Sequence, residues 1–333
     1  MLRAALAALF LTLPGVAIAD CAGQSLLGTL AAADRATLDA AVAAVPYPTG
    51  NAWRATRDGK TVTIVGTYHL EDPRHDTVLN ALAPLLDAAA VVLVEAGPEE
   101  QAALAQAVAE RPELLFRTKG PTLPETLQEA EWQMLAGAMK ERGIPGFMAA
   151  KMQPWYVSVL LAVPPCAMPD MTQGAAGLDH KIMLRAAAQN IPIRALEPYD
   201  AAFRIFDEMD DATQLDMVRL SLALEERAED MNATLADAYF NENARMIWEF
   251  GRLMSYQVDP RSRAEIDAEY AEMEELLMAR RNRNWIPVIE ASLDDGPVFA
   301  AFGALHLSGE DGVLALLARE GFTLERLPFA ALR

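Results

Sequence analysis

Cysteine and histidine are both scarce in this chain, and positive charge is in short supply. The two cysteines, Cys21 and Cys166, allow at most one internal bridge, which would tie down the N-terminal segment; the alternative is two unpaired thiols. Neither stands in a catalytic pattern. The four histidines include no H-E-x-x-H, which excludes a zincin, and there is no C-x-x-C-H for covalent haem attachment. With 28 Lys and Arg against 47 Asp and Glu, the net charge is −19. Such a surface repels phosphate backbones and anionic lipid, which excludes nucleic acid and a charged membrane surface as partners. Beyond residue 19 no apolar run approaches the roughly 20 residues that cross a bilayer, and no tandem repeat is visible.

The first nineteen residues, by contrast, read as a secretory signal peptide. Arg3 supplies the basic start, residues 4–13 the apolar stretch, and Ala17 and Ala19 the small residues of a cleavage site. Pro14 and Gly15 interrupt the stretch, which argues for cleavage after Ala19 rather than an uncleaved anchor. Asp20, just before Cys21, argues against a lipidated cysteine. Removing Arg3 with the leader brings the net charge to −20. The expected location is periplasmic or secreted, where a disulfide persists, with no membrane association after cleavage. A hydrophobic fraction of 52% indicates a packed interior. Residues 20–333 read as a single α/β domain, a compact sheet core with flanking helices and a large helical insertion over about residues 199–294.

The strand signals share a common kind of ending. Residues 60–65 read as a strand running into Gly66-Thr67-Tyr68-His69, residues 90–94 as one ending at Glu95, and residues 191–196 as one ending at Glu197. Residues 298–302 enter Gly303-Ala304-Leu305-His306, and residues 322–328 form a closing strand. Helical spacing over 76–89 makes the first two strands a parallel pair with a crossover, and open sheets of this kind place their sites at the carboxyl ends of the strands. Further helices are expected over 33–44, 99–110, 123–142, 154–163, 179–189 and 309–320, with a Pro/Gly-rich link after Ala44. In the acidic insertion, Met209, Met217 and Met231 fall at core spacing and read as packing. Arg280-Arg281-Asn282-Arg283-Asn284-Trp285 is its one basic cluster.

Three of the four histidines, His69, His180 and His306, have a glycine three residues earlier. Glycine at a strand end lets the backbone turn sharply and approach a ligand while the imidazole projects. Asp179 before His180 is adequately read as a helix cap, and His75 is expected in a loop over the strand ends, with no role. Glu95 and Glu197 end apolar strands, where burial is costly without a partner. In one sheet His69, Glu95, Glu197 and His306 would converge. Two imidazoles and a carboxylate suit a divalent ion such as Zn²⁺, Mn²⁺ or Co²⁺, held by His69, Glu95 and His306, with the second carboxylate taking a proton from bound water. Without a metal, His69 would be a general base oriented by a neighbouring glutamate. Arg281 would hold a carboxylate or an oxyanion, or else bridge surplus acidic residues of the insertion.

Taken in order, Gly66-Thr67-Tyr68-His69, Val94-Glu95, Gly177-Leu178-Asp179, Leu196-Glu197, Arg281-Asn282 with Trp285, and Gly303-Ala304-Leu305-His306 followed by Gly309 and Gly312 resemble the TraB/GumN family, which is related to the Tiki metalloproteases. The resemblance spans about residues 21–330 and implies a compact α/β core with a helical insertion. Tiki proteins are metal-dependent peptidases, and the wider superfamily includes erythromycin-esterase-like hydrolases and haem-handling proteins. The resemblance makes His69, Glu95 and His306 the principal site residues, supported by Glu197 and Arg281; His180 is no part of the pattern. The function expected is an exported metal-dependent hydrolase acting on a peptide or small-molecule substrate in the cell envelope. Its alternatives are a metal-free His/Glu hydrolase and a non-catalytic haem- or peptide-binding protein.

Overall fold

A computed structural model describes residues 21–172 and 177–329. The expected signal peptide, residues 1–19, lies outside them. The described strands are β1 (Ala52–Arg57), β2 (Lys60–Thr67), β3 (Val91–Val94), β4 (Ile193–Ala195), β5 (Val298–Gly303) and β6 (Thr323–Arg326). They form one mixed sheet in the order β4-β3-β5-β2-β1-β6. The four strands β4, β3, β5 and β2 run parallel, and β1 and β6 pair antiparallel at the other end.

Burial follows position in the sheet. β3 and β5 are buried along their whole length and β2 after its first two residues, because helices cover both faces of the central strands. Ile64, Leu93, Ala300 and Phe302 face Trp285, Ile289, Val313 and Leu317 from the helices Arg280–Ser292 and Val313–Arg319. Val65, Val92, Val94 and Ala301 face Val78, Leu82 and Leu86 from the helix Arg74–Asp87, and Ile182 and Ala186 from the helix Leu178–Ala188. The short edge strands β4 and β6 stay partly open.

The strand β1 lies where a Pro/Gly-rich link is expected. Asp58 and Gly59, both at positive φ (52° and 76°), turn it tightly into β2, a geometry that matches the twist of a two-residue hairpin. The single helix expected over 123–142 is two, Leu123–Thr126 and Glu129–Glu141, separated at Leu127 and Gln128. His75 is in the first turn of the helix Arg74–Asp87 rather than in a loop. It is fully buried among Tyr68, Tyr239 and Phe240, with its Nε2 2.9 Å from the Leu70 carbonyl oxygen. Burial lowers its pKa.

Residues 201–292 are helical as expected, in the helices Ala201–Glu208, Asp211–Ala223, Ala228–Phe240, Ala244–Val258 and Arg263–Glu274, a π turn at Glu275–Ala279, and Arg280–Ser292. Met209 is buried, and Met217 and Met231 pack on apolar clusters, so the methionines are core. Cys21 and Cys166 are bonded to each other, with Cα atoms 5.3 Å apart. The bridge fixes the N-terminal segment, whose Ala22, Gln24 and Leu26 amides also donate to Glu229, Asp230 and Thr234. Among the described residues no helix is long and apolar enough to cross a membrane.

Candidate active site

Four adjacent parallel strands end along one edge of the sheet, and each carries a polar residue just past its end: Glu197 after β4, Glu95 after β3, His306 after β5 and His69 after β2. Arg281 reaches the same place from the helix Arg280–Ser292, directly after the π turn. A turn of this kind shifts the register of the helix that follows and is common at functional sites.

The glycines of the two strand-end motifs act by leaving space, at ordinary negative φ. A Cβ on Gly66 would stand 2.6 Å from Leu307 Cδ1 and 2.8 Å from Ala304 Cα. A Cβ on Gly303 would stand 3.1 Å from His69 Nε2 and 3.3 Å from Glu95 Oε1. The sharp turn expected at these positions is therefore replaced by close approach: Gly66 admits the chain after β5, and Gly303 forms a floor on which His69 and Glu95 meet. Gly177 has another purpose than serving His180. A Cβ there would lie 1.9 Å from the Tyr68 carbonyl oxygen, and the Gly177 amide donates to the His69 carbonyl at 2.8 Å.

That contact places Asp179 against His69, with Asp179 Oδ1 3.2 Å from His69 Nδ1. Asp179 was expected to cap its helix; no side-chain cap bond is present, and the carboxylate bonds the imidazole. His69 Nε2 is left facing the Gly303 floor. Desolvation pulls the His69 pKa down, but the hydrogen bond and charge of Asp179, with the charge of Glu95, outweigh it and raise the pKa to about 9 against the opposing charge of Arg281. Because 61% of the side-chain surface stays open to water, the opposing pull of desolvation is weak and the Asp179 contact sets the upward direction.

Arg281 binds the remaining groups together. Its Nε and Nη2 donate to the two oxygens of Glu197 at 2.8 and 2.6 Å, and Nη2 also donates to Glu95 Oε2 at 2.6 Å. Nη1 donates to the Leu277 carbonyl at 3.0 Å and lies 3.2 Å from His306 Nε2. Five N–H groups thus meet five acceptor contacts. No donor is left over for a substrate oxyanion, so Arg281 works by positioning Glu95 and His306 and by its charge. It bridges the site's own glutamates rather than the surplus acids of the insertion. Glu197, expected as a proton acceptor, is occupied as its anchor, and it also accepts from Trp285 Nε1 at 3.1 Å.

Glu95 accepts from the Gly303 amide at 2.7 Å as well as from Arg281. Desolvation raises its pKa, while His306, Arg281, His69 and the Gly303 amide hold it down at about 2. His306 is buried beneath the Trp285 ring, with centroids 4.4 Å apart. Its Nδ1 donates to Asn282 Oδ1 at 2.6 Å, an orientation fixed because Asn282 Nδ2 donates to the Asp311 carbonyl at 2.9 Å. The Nε2 lone pair therefore faces Arg281. Desolvation, with the charges of Arg281 and His69, lowers the His306 pKa to about 3 against Glu95. Since His306 is neutral above that pH, the lasting restraint on Glu95 comes from Arg281, the protonated His69 and the Gly303 amide.

The donors expected to hold a divalent ion fit it poorly in this arrangement. His69 Nε2 and Glu95 Oε1 do share one space, but His306 approaches it with Cδ2 and has its Nε2 committed to Arg281. The guanidinium also stands 2.6 Å from Glu95. Among the described residues no group of three or more His, Cys, Asp or Glu is arranged to hold a metal ion. His180 does not line the cavity that opens on His69, Glu95, Arg281 and His306.

Asp179, Asn282 and the Gly303 floor are the contributors that the reading of single residues missed. Asp179 and Asn282 both fall in the segments that carry the family resemblance, and that was the signal available for them. No curated protein matches this chain. The sequence model that does match covers residues 51–326, from the start of β1 to the end of β6 and including every residue of the site, and on that match the chain belongs to the TraB/PrgY/gumN family.

Proposed function

We propose that this protein is an exported hydrolase of ester or amide bonds in which His69 is the general base. The observation that carries the reading is the Asp179–His69 pair, with His69 Nε2 turned toward the same point over Gly303 as Glu95 Oε1. A water at that point would be oriented by Glu95, whose low pKa makes it a poor base, and would lose its proton to His69 Nε2 as its oxygen attacks the acyl carbon. The proton then passes from His69 to the leaving alkoxide or amine. Asp179 keeps the imidazole in the tautomer with Nδ1–H and stabilises the imidazolium between the two transfers. The Met1–Ala19 pattern and the Cys21–Cys166 bridge support action in the periplasm or outside the cell.

The test is cleavage of a panel of activated esters and blocked peptide anilides by the mature chain, with and without chelator. Metal content is measured on the same preparation. His69→Ala and Glu95→Gln are expected to reduce kcat at least about a hundredfold, with chelator leaving the rate unchanged. A stoichiometric divalent ion, lost together with activity in His306→Ala, would replace this reading with the metal-dependent one. His306 would then have to exchange Arg281 for the ion.

A further inference from the structure

The cavity over the Gly303 floor has two dissimilar sides. Its floor carries the polar groups of the strand ends; its wall, supplied by the helices of residues 228–279, is apolar. Leu235 comes from the helix Ala228–Phe240, Ile247 and Trp248 from Ala244–Val258, and Leu277 and Met278 from the π turn. All but Met278 are only partly buried, so apolar surface faces an open space of about 290 Å³. Ligand pockets begin at roughly 300 Å³, so this one suits a single group of side-chain size. The floor sets the carboxylate of Glu95 beside the guanidinium of Arg281 and the imidazole of His69, which are tied from behind to Glu197 and Asp179. Arg281 has no N–H to spare, and the Nε2–H of a protonated His69 shares its space with Glu95 Oε1, so an anionic group placed there meets a carboxylate already seated at the one remaining donor.

We propose that this cavity is the acyl subsite, and that it selects an uncharged apolar group, an alkyl chain or an aromatic ring, joined directly to the carbonyl carbon that lies over Gly303. The proposal rests on the hydrolase reading for the word acyl, but the selection is a property of the cavity and holds without turnover. A fatty or aryl ester and a peptide with a large apolar residue before the scissile bond offer the same chemistry. A free carboxylic acid does not, and this also favours release of an acid product.

Calorimetric titration with non-cleavable ketones separates selection from catalysis. In the wild type, 2-octanone and acetophenone should bind at least about tenfold more tightly than octanoate and benzoate at pH 7. Leu235→Trp, which fills the space, and Ile247→Ser, which makes its wall polar, should each weaken ketone binding about tenfold or more, with unchanged circular dichroism and melting temperature as the folding control. Equal binding of ketone and carboxylate, or ketone binding unaffected in both variants, overturns the proposal. Turnover forms the second arm. Among 4-nitrophenyl esters from acetyl to decanoyl, a medium chain should give the highest kcat/KM, and among N-acetyl amino acid 4-nitroanilides phenylalanine should exceed aspartate. Preference in the ester arm alone identifies a small acyl ester as the source, and preference in the anilide arm alone a peptide. Ketone binding lost in the variants, with no substrate cleaved, supports the subsite and removes the hydrolase. Cleavage with no preference for chain length or residue keeps the hydrolase and removes the subsite.

Discussion

His69 Nδ1 stands 3.2 Å from Asp179 Oδ1, although 110 residues separate the two in sequence. Gly177 makes the pairing possible by packing its bare Cα on the backbone of Tyr68 and His69. The relationship assigns His69 its tautomer and its raised pKa, and it yields the first prediction. With a pKa of about 9 the imidazole is mostly protonated at neutral pH, so kcat/KM limited by the free base should rise with pH and level off above about 9. Asp179→Asn should move that midpoint down by about 1 to 2 units and lower the plateau. A pH–rate profile that keeps its midpoint in the variant would sink the pairing as the cause. The same shift affects stability: a folded pKa above the ordinary 6.5 contributes stability that is present below about pH 6.5 and is lost as pH rises through about 9.

His306 has the opposite sign. Its folded pKa of about 3 lies below the ordinary 6.5, so between those values the unfolded chain binds a proton that the folded chain does not. Stability should therefore fall as pH drops from 6.5 toward 3, by at most about 1.4 kcal/mol per unit from this residue. His75 adds in the same direction, so the comparison with His306→Gln isolates His306. Urea unfolding at pH 6.5 and 4.5 should give a shallower dependence in the variant. Below about 4.5, protonation of Glu95, whose folded pKa is depressed to about 2, removes a further contribution in both proteins.

Arg281 is mostly buried and holds Glu95 and Glu197 together. Arg281→Met should cost about 3 kcal/mol or more in urea unfolding, because two carboxylates lose their partner at once. Part of the loss should return in Arg281→Met with Glu197→Gln, a coupling of at least about 1 kcal/mol. Strict additivity of the two substitutions would show that water already screens the cluster.

The two motif glycines should respond differently. On Gly303 an added methyl meets the movable ends of His69 and Glu95 at 3.1 and 3.3 Å. Gly303→Ala should therefore lower kcat at least about tenfold with little change in melting temperature. On Gly66 the methyl meets the Ala304 backbone at 2.8 Å, so Gly66→Ala should destabilise by about 1–3 kcal/mol through overpacking. Activity unaffected in Gly303→Ala would remove the floor from the site.

Much of the sheet was legible because its central strands are short runs of Val, Ile, Ala and Phe bounded by Gly or a carboxylate, as in residues 60–67, 91–94 and 298–303. β1 escaped because Ala52-Trp53-Arg54-Ala55-Thr56-Arg57 is rich in Arg and Ala, and its strand character comes from pairing with β2 and β6. The break between the helices Leu123–Thr126 and Glu129–Glu141 escaped for a related reason. Helical spacing of apolar residues continues across it, while Gln128 starts a new capping box with Glu131.

Residue order and type alone settle which residues end the strands, that the chain is acidic, and that two cysteines are free to pair. Those are local matters, set by residue type and by the periods of strand and helix. Folding of the whole chain decides that four strand ends lie side by side, that Arg281 spends four of its five N–H groups on them and the fifth on the Leu277 carbonyl, and that Asp179 rather than a glutamate orients His69. Hydrogen-bond partners more than eighty residues apart are selected by packing of the finished sheet and its covering helices, and local sequence carries no energy term that distinguishes Asp179 from the other carboxylates.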